Sequence, residues 1–400
     1  MTSKGISLTK PDTRHLTFVA ALLSMIGPFS IDAYLPSFPD IELEFGISRA
    51  MLSQSLAVYL LSFAFSTLFW GPLADRIGRR LVVVISMSIY TLGSIGCALA
   101  GNAEAFLLLR VLQGLAASGG FIAGRSMIRD AHDAKAAQRA MSQVMMLFAL
   151  APAIAPVLGG WLHDHFGWRS VFWFLSAYGG LMVLMGLFIK ETLADEHRRS
   201  IKPATVLRVY GSAIFHKRFP SLILSLSFAF AGLFLYIAGA PAVIYDFLEL
   251  GSNDFAWLFI PIVVGLMLGA AISSRLAHRW PASKTISAGL LVMTLATVTN
   301  IISAKFLAAS VLAVVGPLVL YVTGLALMMP AITVLALDCL PTHRGTAVSM
   351  QGFLQMMTNA VVASFAVPLL QARWFNFVLG QAVFLLLAVG LWYRLQQKPD

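Results

Sequence analysis

Gly71-Pro-Leu-Ala-Asp-Arg-Ile-Gly-Arg-Arg80 is the stretch of this sequence that decides the fold. It follows an apolar run that ends near Trp70, and a second apolar run, 81–100, begins directly after it. A charged residue at the centre of a bilayer costs roughly 2.5–3.5 kcal/mol on insertion scales, so the charges of this stretch must lie outside the hydrocarbon. The pattern therefore predicts two membrane-spanning helices that are joined as a tight hairpin by a charged loop.

The composition of the whole chain extends this prediction. Of its 400 residues, 58% are hydrophobic and 12% are charged, whereas soluble domains carry about 25% charged residues. The hydrophobic residues fall in runs close to the roughly 20 residues that one helical membrane crossing needs. We expect twelve spans, at 16–38, 52–72, 81–100, 106–127, 141–162, 169–189, 219–244, 255–275, 284–304, 307–336, 346–369 and 374–394.

The distribution of basic residues predicts the orientation of the spans. If the amino terminus is cytoplasmic, 23 of the 28 Lys and Arg residues lie in cytoplasmic segments, 4 lie in outer segments, and Arg110 lies within a span. An excess of Lys and Arg in cytoplasmic loops sets the orientation of membrane proteins. We therefore expect both termini to be cytoplasmic. The net charge of +10 is explained by this bias and by attraction to membrane lipids, without a nucleic-acid partner.

The longest polar stretch divides the chain into two halves. We expect a six-helix bundle in 1–189, a cytoplasmic linker in 190–218 and a second six-helix bundle in 219–400. Three positions near the outer end of the first span recur 205 residues later in the seventh, as the pairs Pro36 and Pro241, Glu44 and Glu249, and Gly46 and Gly251. Such a repeat is typical of transporters. The predicted fold class is an all-α integral membrane protein with twelve transmembrane helices in two pseudo-symmetric six-helix bundles.

Two ionisable residues fall well inside predicted spans. Asp32 lies in the outer third of the first span, and Arg110 lies a few residues into the fourth. Both are roughly two helical turns below the outer surface, so each is the most economical partner for the other. One interpretation is proton coupling, in which Asp32 binds and releases a proton under the influence of Arg110. The alternatives are a permanent structural ion pair and direct binding of a cationic substrate by Asp32.

The 71–80 stretch predicts a conformational latch. Its glycines permit a tight turn and close helix approach, its carboxylate accepts hydrogen bonds, and its arginines remain on the cytoplasmic side. Such a charge cluster holds two bundles together in one conformation and releases them in another. The alternative is simple anchoring of the topology, which explains the arginines but not the Gly and Asp spacing. The predicted latch residues are Gly71, Asp75, Arg76, Gly78, Arg79 and Arg80.

The fifth span predicts a joint between moving helices. Pro152 and Pro156 each remove a backbone donor, and Gly159 and Gly160 let a neighbouring helix approach closely. Further polar and aromatic residues are candidates for a substrate cavity, with packing between helices as the alternative. The cavity candidates are Tyr34, Tyr59, Phe63, Gln113, Tyr236, Tyr321, Gln355 and Asn359.

Other site classes find little support in the sequence. His163-Asp164-His165 resembles a group of metal ligands, but no other segment completes it, so we expect no metal site. The sequence contains no GxxxxGK[ST] loop, which argues against direct coupling to ATP. It also lacks HExxH and GxSxG motifs, so we expect no enzyme activity.

Several motifs resemble the major facilitator superfamily over essentially the whole chain. Gly71–Arg80 is similar to its signature loop between helices two and three, and Arg110-Val-Leu-Gln-Gly114 to the helix-four motif whose arginine the family associates with proton coupling. Ala151-Pro-Ala-Ile-Ala-Pro-Val-Leu-Gly-Gly160 resembles the helix-five motif of drug/proton antiporters, with Ala151 and Ala155 where glycine is usual. Asp32-Ala-Tyr-Leu-Pro36, Pro39 and Arg344-Gly-Thr-Ala347 resemble the Bcr/CflA subfamily of multidrug exporters.

The resemblance implies an exporter of the bacterial inner membrane that exchanges protons for small molecules. We also expect a monomer that needs no cofactor. Bicyclomycin, phenicols and related compounds are typical substrates of the subfamily. Two alternatives use the same fold, namely a proton-coupled importer and an exporter of metabolites or siderophores. A membrane enzyme or receptor is a further alternative, although the sequence offers it no catalytic constellation.

Overall fold

The computed structural model describes residues 13–193, 211, 214–340 and 344–397. Within these residues, twelve helices are long and apolar enough to cross a membrane, which confirms the predicted all-α membrane fold. Of the predicted linker 190–218, the stretches 194–210 and 212–213 lie outside the described residues. The spanning helices are α1 Thr13–Asp32, α2 Arg49–Ile77, α3 Arg79–Leu99, α4 Ala103–Ala131, α5 Ala134–Phe166, α6 Arg169–Phe188, α7 Phe219–Ala238, α8 Ala256–Leu276, α9 Ala282–Phe306, α10 Val311–Asp338, α11 Arg344–Val361 and α12 Trp374–Gln396.

The helices pack mainly within the two halves of the chain. In the first half, α4 packs against α2 and α3, α3 packs against α6, and α1 lies against α4 and α5. In the second half, α10 packs against α8 and α9, and α7 packs against α12. The two halves meet where α2 contacts α11 and where α5 contacts α8. Because an even number of spans alternates in direction, the start of α1 and the end of α12 lie at the same end of the bundle. We call this end the termini end and the other the opposite end.

Three of the predicted spans are interrupted near the opposite end. The first ends its α-helix at Asp32 and continues as a 3₁₀ turn, Leu35–Ser37, and a short helix, Phe38–Phe45. The seventh and eleventh continue past their α-helices as π-helical segments, Ala242–Phe247 and Val362–Ala366. Prolines lack a backbone N–H, which explains the break after Asp32, where Pro36 and Pro39 follow. The interruptions leave backbone carbonyls available for partners from other helices.

The stretch 71–80 is helical rather than a loop, which corrects our expectation. Helix α2 continues to Ile77 with Pro72 inside it, and α3 begins at Arg79, so Gly78 alone forms the junction. Gly78 has a φ of 101° and a ψ of 157°, a conformation that is essentially restricted to glycine. A side chain at Gly71, by contrast, would meet nothing within 4 Å, so close helix approach is not the role of Gly71 here.

Polar contacts join the two halves at the opposite end. The Tyr245 hydroxyl donates to the Pro36 carbonyl at 2.6 Å, and the Gln54 amide donates to the carbonyl of Ser364, inside the second π-helical segment, at 3.0 Å. The other contacts are an ion pair between Arg49 and Asp246, and hydrogen bonds from Ser252 and Asn253 to Asp164. These contacts connect the two halves at the opposite end in this conformation.

Candidate functional site

Arg110 is a fully buried cation at the centre of a polar cluster in the first half. Its Nη1 donates to Gln113 Oε1 at 2.8 Å, and its Nη2 donates to the Ser30 carbonyl at 3.0 Å. The guanidinium carbon lies 4.6 Å from the centre of the Tyr34 ring and 4.5 Å from that of Tyr59. The cation is therefore stabilised by two neutral oxygens and two aromatic faces.

A close contact between α2 and α4 places Tyr59 over the guanidinium. A side-chain carbon at Gly114 would overlap the Tyr59 carbonyl, so only glycine lets the two backbones approach this closely. Arg110 lies one turn before Gly114 on α4, and its guanidinium therefore contacts the Tyr59 ring. Gln113 extends the cluster, because its side-chain amide donates to the Ser94 hydroxyl at 2.7 Å. Arg110, Gln113 and Gly114 thus share one local function, which is to build and fill this cluster.

The break in the first span explains why Arg110 reaches α1. The last carbonyls of an α-helix lack donors from the helix itself. Because α1 ends at Asp32, the Ser30 carbonyl accepts from Arg110 instead. A cation at the carboxyl end of a helix also interacts favourably with the helix dipole. Arg110 therefore caps α1 two residues before Asp32.

Asp32 is 3% exposed and is the one buried carboxylate in the described part of the chain. Its Oδ1 has no hydrogen-bond partner among the described residues. The expected ion pair with Arg110 is absent from the ion pairs that these residues form, so that expectation was wrong for this conformation. Residues two apart on a helix face different directions, and Arg110 lies against Ser30. An unpaired buried carboxylate is a candidate site for a proton or a cationic group.

The arginine cluster at the termini end is contained within the first half. Arg79, 3% exposed, pairs with Asp75 at 2.6 Å and with Asp130 at 2.9 Å. The Glu191 carboxylate accepts from the backbone N–H groups of Arg79 at 2.9 Å and Arg80 at 3.2 Å, and so caps α3. In this conformation, the contacts of these charges among the described residues lie within the first half, so the conformational latch between the halves stays a prediction.

Arg76 and Arg80 complete the set of predicted latch residues. Arg76 is exposed near the end of α2. Arg80 Nη2 donates to the Leu187 carbonyl of α6 at 2.8 Å. The cluster therefore connects α2, α3, α4 and the segment after α6 into one unit, and Glu191 and Asp130 are its members that the sequence pattern did not identify.

Replacing Gly78 with alanine is expected to destabilise the protein by about 1–3 kcal/mol, the strain of a residue forced into a glycine conformation. The new methyl group would also overlap the Glu191 carboxylate. Thermal unfolding in detergent measures this loss. Gly71→Ala is the matched control, because it adds a methyl group where space is open and should leave the unfolding midpoint equal or higher. Equal midpoints for the two variants would contradict the assigned role of Gly78.

Helix α5 contacts both halves through its glycine pair. A side-chain carbon at Gly159 would overlap the Ala33 carbonyl, directly after Asp32, and one at Gly160 would overlap the Ser252 carbonyl. Gly159 therefore packs against the broken end of α1, and Gly160 packs against the second half. Pro156 and Pro152 lie within the same helix, about one and two turns closer to the termini end.

We expect leucine at Gly159 or Gly160 to lower the transport rate at least about tenfold, because the larger side chain prevents these backbone contacts. Transport in reconstituted vesicles and expression level measure the effect. Gly180→Leu on α6 is the control, since the space around that glycine is open. Parent-like transport by both α5 variants would show that the close contacts are not required during the cycle.

The predicted cavity residues fall into different environments. Tyr34, Tyr59 and Gln113 surround Arg110, and the Phe63 ring lies 6.3 Å from that of Tyr59. In the second half, Gln355 is partly exposed, and Asn359 is buried with its Oδ1 unpaired among the described residues.

Tyr236 and Tyr321 pack inside the second half in this conformation, and their place in a substrate cavity stays a prediction. Both side chains are fully buried in the second half. The Tyr236 hydroxyl accepts from Asn300 at 2.8 Å, and Tyr321 donates to the Ala229 carbonyl at 2.9 Å. Their polar ends are satisfied inside the helix packing, so they stabilise the second half.

Sequence reasoning missed Ser30, Ser94 and Tyr90 of the Arg110 cluster. The Ser30 hydroxyl bonds to that of Tyr90 at 2.6 Å. Small polar residues in a membrane span give little signal, because most bond only to their own helix. Gly93 and Gly114 were the usable signal for this cluster. Gly93 marks a close approach to Gln113, and Gly114 marks a close approach to Tyr59.

The His163-Asp164-His165 segment forms contacts at the opposite end. Asp164 accepts from the second half, and His163 lies 3.6 Å from Asp40. His165 Nδ1 lies 2.8 Å from the Trp161 carbonyl. The described residues contain no group of three or more His, Cys, Asp or Glu side chains placed to hold a metal ion.

The sequence model of the Major Facilitator Superfamily matches residues 18–364 of this chain. An uncharacterized MFS-type transporter, YdgK of Bacillus subtilis, is 27% identical over 92% of this chain and 94% of its own. The bicyclomycin resistance protein homolog of Haemophilus influenzae is 25% identical over 86% of each chain. Multidrug resistance protein D of Escherichia coli is 25% identical over 96% of each chain.

Solved structures share the fold. A bacterial homolog of the human lysosomal transporter Spinster, in an inward-facing and unoccupied conformation, superposes with a TM-score of 0.76 at 18% identity, over 96% of this chain and 97% of the other. A D-xylose-proton symporter superposes with a TM-score of 0.73 at 14% identity, over 95% and 97%.

Proposed function

This chain belongs to the major facilitator superfamily, and we propose that it is a proton-coupled exporter of small organic molecules. The family identifies it as a multi-pass membrane transporter rather than an enzyme. The proposal places it in the bacterial inner membrane with both termini in the cytoplasm, in accord with the bias of its basic residues. In that orientation, the termini end is cytoplasmic and the opposite end faces outward.

The observation that carries the proposal is the unpaired, buried carboxylate of Asp32. It lies where the first span breaks, beside the α5 contact at Gly159 and two residues from the carbonyl that Arg110 binds. An intramembrane ionisable residue is energetically costly and is a functional site by default. Its position at a junction between helices lets a change in its charge alter their packing.

The geometry supports a specific exchange around Arg110. In this conformation, the guanidinium binds the Ser30 carbonyl. We propose that, in the conformation open to the outside, Arg110 turns to the ionised Asp32, and that protonation of Asp32 releases Arg110 to cap α1 again. A guanidinium has donors enough for either arrangement. Proton binding would thereby be linked to the position of the broken end of α1.

Two observations favour export of drug-like molecules. The α5 sequence with its two prolines and Gly159-Gly160 resembles that of drug/proton antiporters, and here these glycines contact α1 and the second half. Curated relatives of this chain are named for bicyclomycin resistance and multidrug resistance. The proposed substrates are therefore small organic compounds of this kind.

Reconstituted proteoliposomes test the proposal directly. A panel of drug-like compounds is added under an imposed pH gradient, and both compound movement and proton movement are recorded. We expect some compounds to move against the direction of proton flow and to stop when an ionophore removes the gradient. Movement in the same direction as protons would establish an importer, and compound movement without any proton movement would overturn the coupling.

A further inference from the structure

We propose that a pocket between α4 and α5 at the termini end binds an anionic phosphate group. Arg125, Ser126 and Arg129 border it on α4, and Gln138 and Met141 border it on α5. The pocket has a volume of about 300 Å³, well above the roughly 10–15 Å³ that a cavity needs to hold one water molecule. This site is separate from Asp32 and Arg110, and it does not depend on the proposed direction or coupling of transport.

Arg125 carries a half-buried positive charge whose donors are incompletely used. Its guanidinium carbon lies 4.0 Å from the centre of the Phe121 ring, and Nη2 lies 4.0 Å from the Met145 sulfur. Its Nε is buried without a hydrogen-bond partner, and no Asp or Glu among the described residues forms an ion pair with it. A half-buried cation with a buried N–H that lacks an acceptor is unfavourable unless an anion completes the site.

Arg129 supplies a second positive charge one turn further along the same helix. Like charges four residues apart on a helix repel each other, so an anion between them would relieve the repulsion. The neighbouring carboxylate does not fill this role, because Asp130 is bound to Arg79 at 2.9 Å. Among the described residues, Arg129 forms no ion pair.

The donor set matches phosphate better than a single carboxylate. Two guanidinium groups bring two positive charges and more N–H donors than the two oxygens of a carboxylate accept. Ser126 and Gln138 also line this space, and their side chains carry further hydrogen-bond donors. Arginine is the side chain best suited to phosphate oxygens, because its planar fork binds two of them at once.

The depth of the pocket indicates where the phosphate comes from. Arg125 lies six residues before the end of α4 at Ala131, which corresponds to about 9 Å along the helix. Two sources present the same group at this depth: the headgroup of an acidic phospholipid, and a soluble phosphorylated molecule that enters from the termini end.

The test uses the full-length protein in neutral detergent and inorganic phosphate as the probe. The unfolding temperature is measured against phosphate concentration, with chloride keeping the ionic strength constant. We expect a saturable rise for the parent, and a half-saturating concentration about tenfold higher for Arg125→Gln and for Arg129→Gln, equivalent to about 1.4 kcal/mol. Arg275→Gln, the same change near the end of α8 in the other half, is the control and should behave as the parent.

A non-saturable rise, or equal phosphate dependence in the parent and both arginine variants, would overturn the site. If Arg125→Gln does not fold, the exposed Arg129 still provides the comparison.

Nanodiscs distinguish the two sources. Phosphatidylglycerol that competes with inorganic phosphate, where phosphatidylcholine does not, assigns the site to lipid, and the absence of competition assigns it to a soluble molecule. Because no transport is measured, loss of phosphate binding and loss of proton-coupled export are separate outcomes.

Discussion

Asp32→Asn is expected to abolish transport driven by a pH gradient while the protein still folds and enters the membrane. Asparagine keeps the shape of the side chain but cannot exchange a proton. Asp32 is the one buried carboxylate in the described part of the chain, so no other buried acid among these residues can replace it. Removing a charge that has no partner should not destabilise the fold, because burial of an unpaired charge is unfavourable. Because the variant stays folded, it should still bind substrate and exchange labelled for unlabelled substrate across the membrane.

Proton release on addition of substrate to detergent-solubilised protein measures this prediction, with gradient-driven transport in proteoliposomes alongside. The parent should release protons and Asp32→Asn should not. Glu104→Gln is the matched control, since Glu104 is an exposed acid in the first turn of α4. Equal proton release by the parent and Asp32→Asn would place the proton site elsewhere.

Arg110→Lys should reduce transport at least about tenfold, although it preserves the positive charge. Lysine has no planar fork, so it cannot donate to both Gln113 and Ser30 from the place where the guanidinium contacts the Tyr34 and Tyr59 rings. A hydrogen bond to a charged group contributes about 1.5–3 kcal/mol, and each 1.4 kcal/mol changes a rate about tenfold. The loss should appear in transport because the guanidinium is proposed to change partners during the cycle.

Three measurements separate this role from a purely structural one. Transport rate, thermal unfolding midpoint and substrate-induced proton release are compared for the parent and Arg110→Lys. We expect lower transport and altered proton release with a midpoint near that of the parent. Arg394→Lys, an exposed position in the last turn of α12, controls for the substitution itself. If the midpoint falls and proton release per folded protein is unchanged, Arg110 is a packing residue only.

The sequence by itself determined the membrane fold, the number of spans and the location of Asp32 and Arg110 inside two of them. Each of these follows from a local property. A run of about 20 apolar residues is long enough to span the bilayer, and a charge inside such a run is expensive wherever the rest of the chain lies. For the same reason, Asp32 and Arg110 stood out without any knowledge of their neighbours. The conformational importance of Gly78 was also readable, although the helical state of residues 71–77 was not.

Only the tertiary structure decided which groups these charges contact. Arg110 binds a carbonyl 80 residues away, and that carbonyl is available because prolines end α1 at Asp32. Similar depth predicted an ion pair, but direction around the helix axis separates Asp32 from Arg110, and depth alone carries no information about direction. The Arg79 cluster likewise depends on Glu191, which lies 112 residues from Arg79 in the sequence. Contacts of this kind depend on how helices rotate and approach one another, and that is set by packing at glycines such as Gly114 and Gly159.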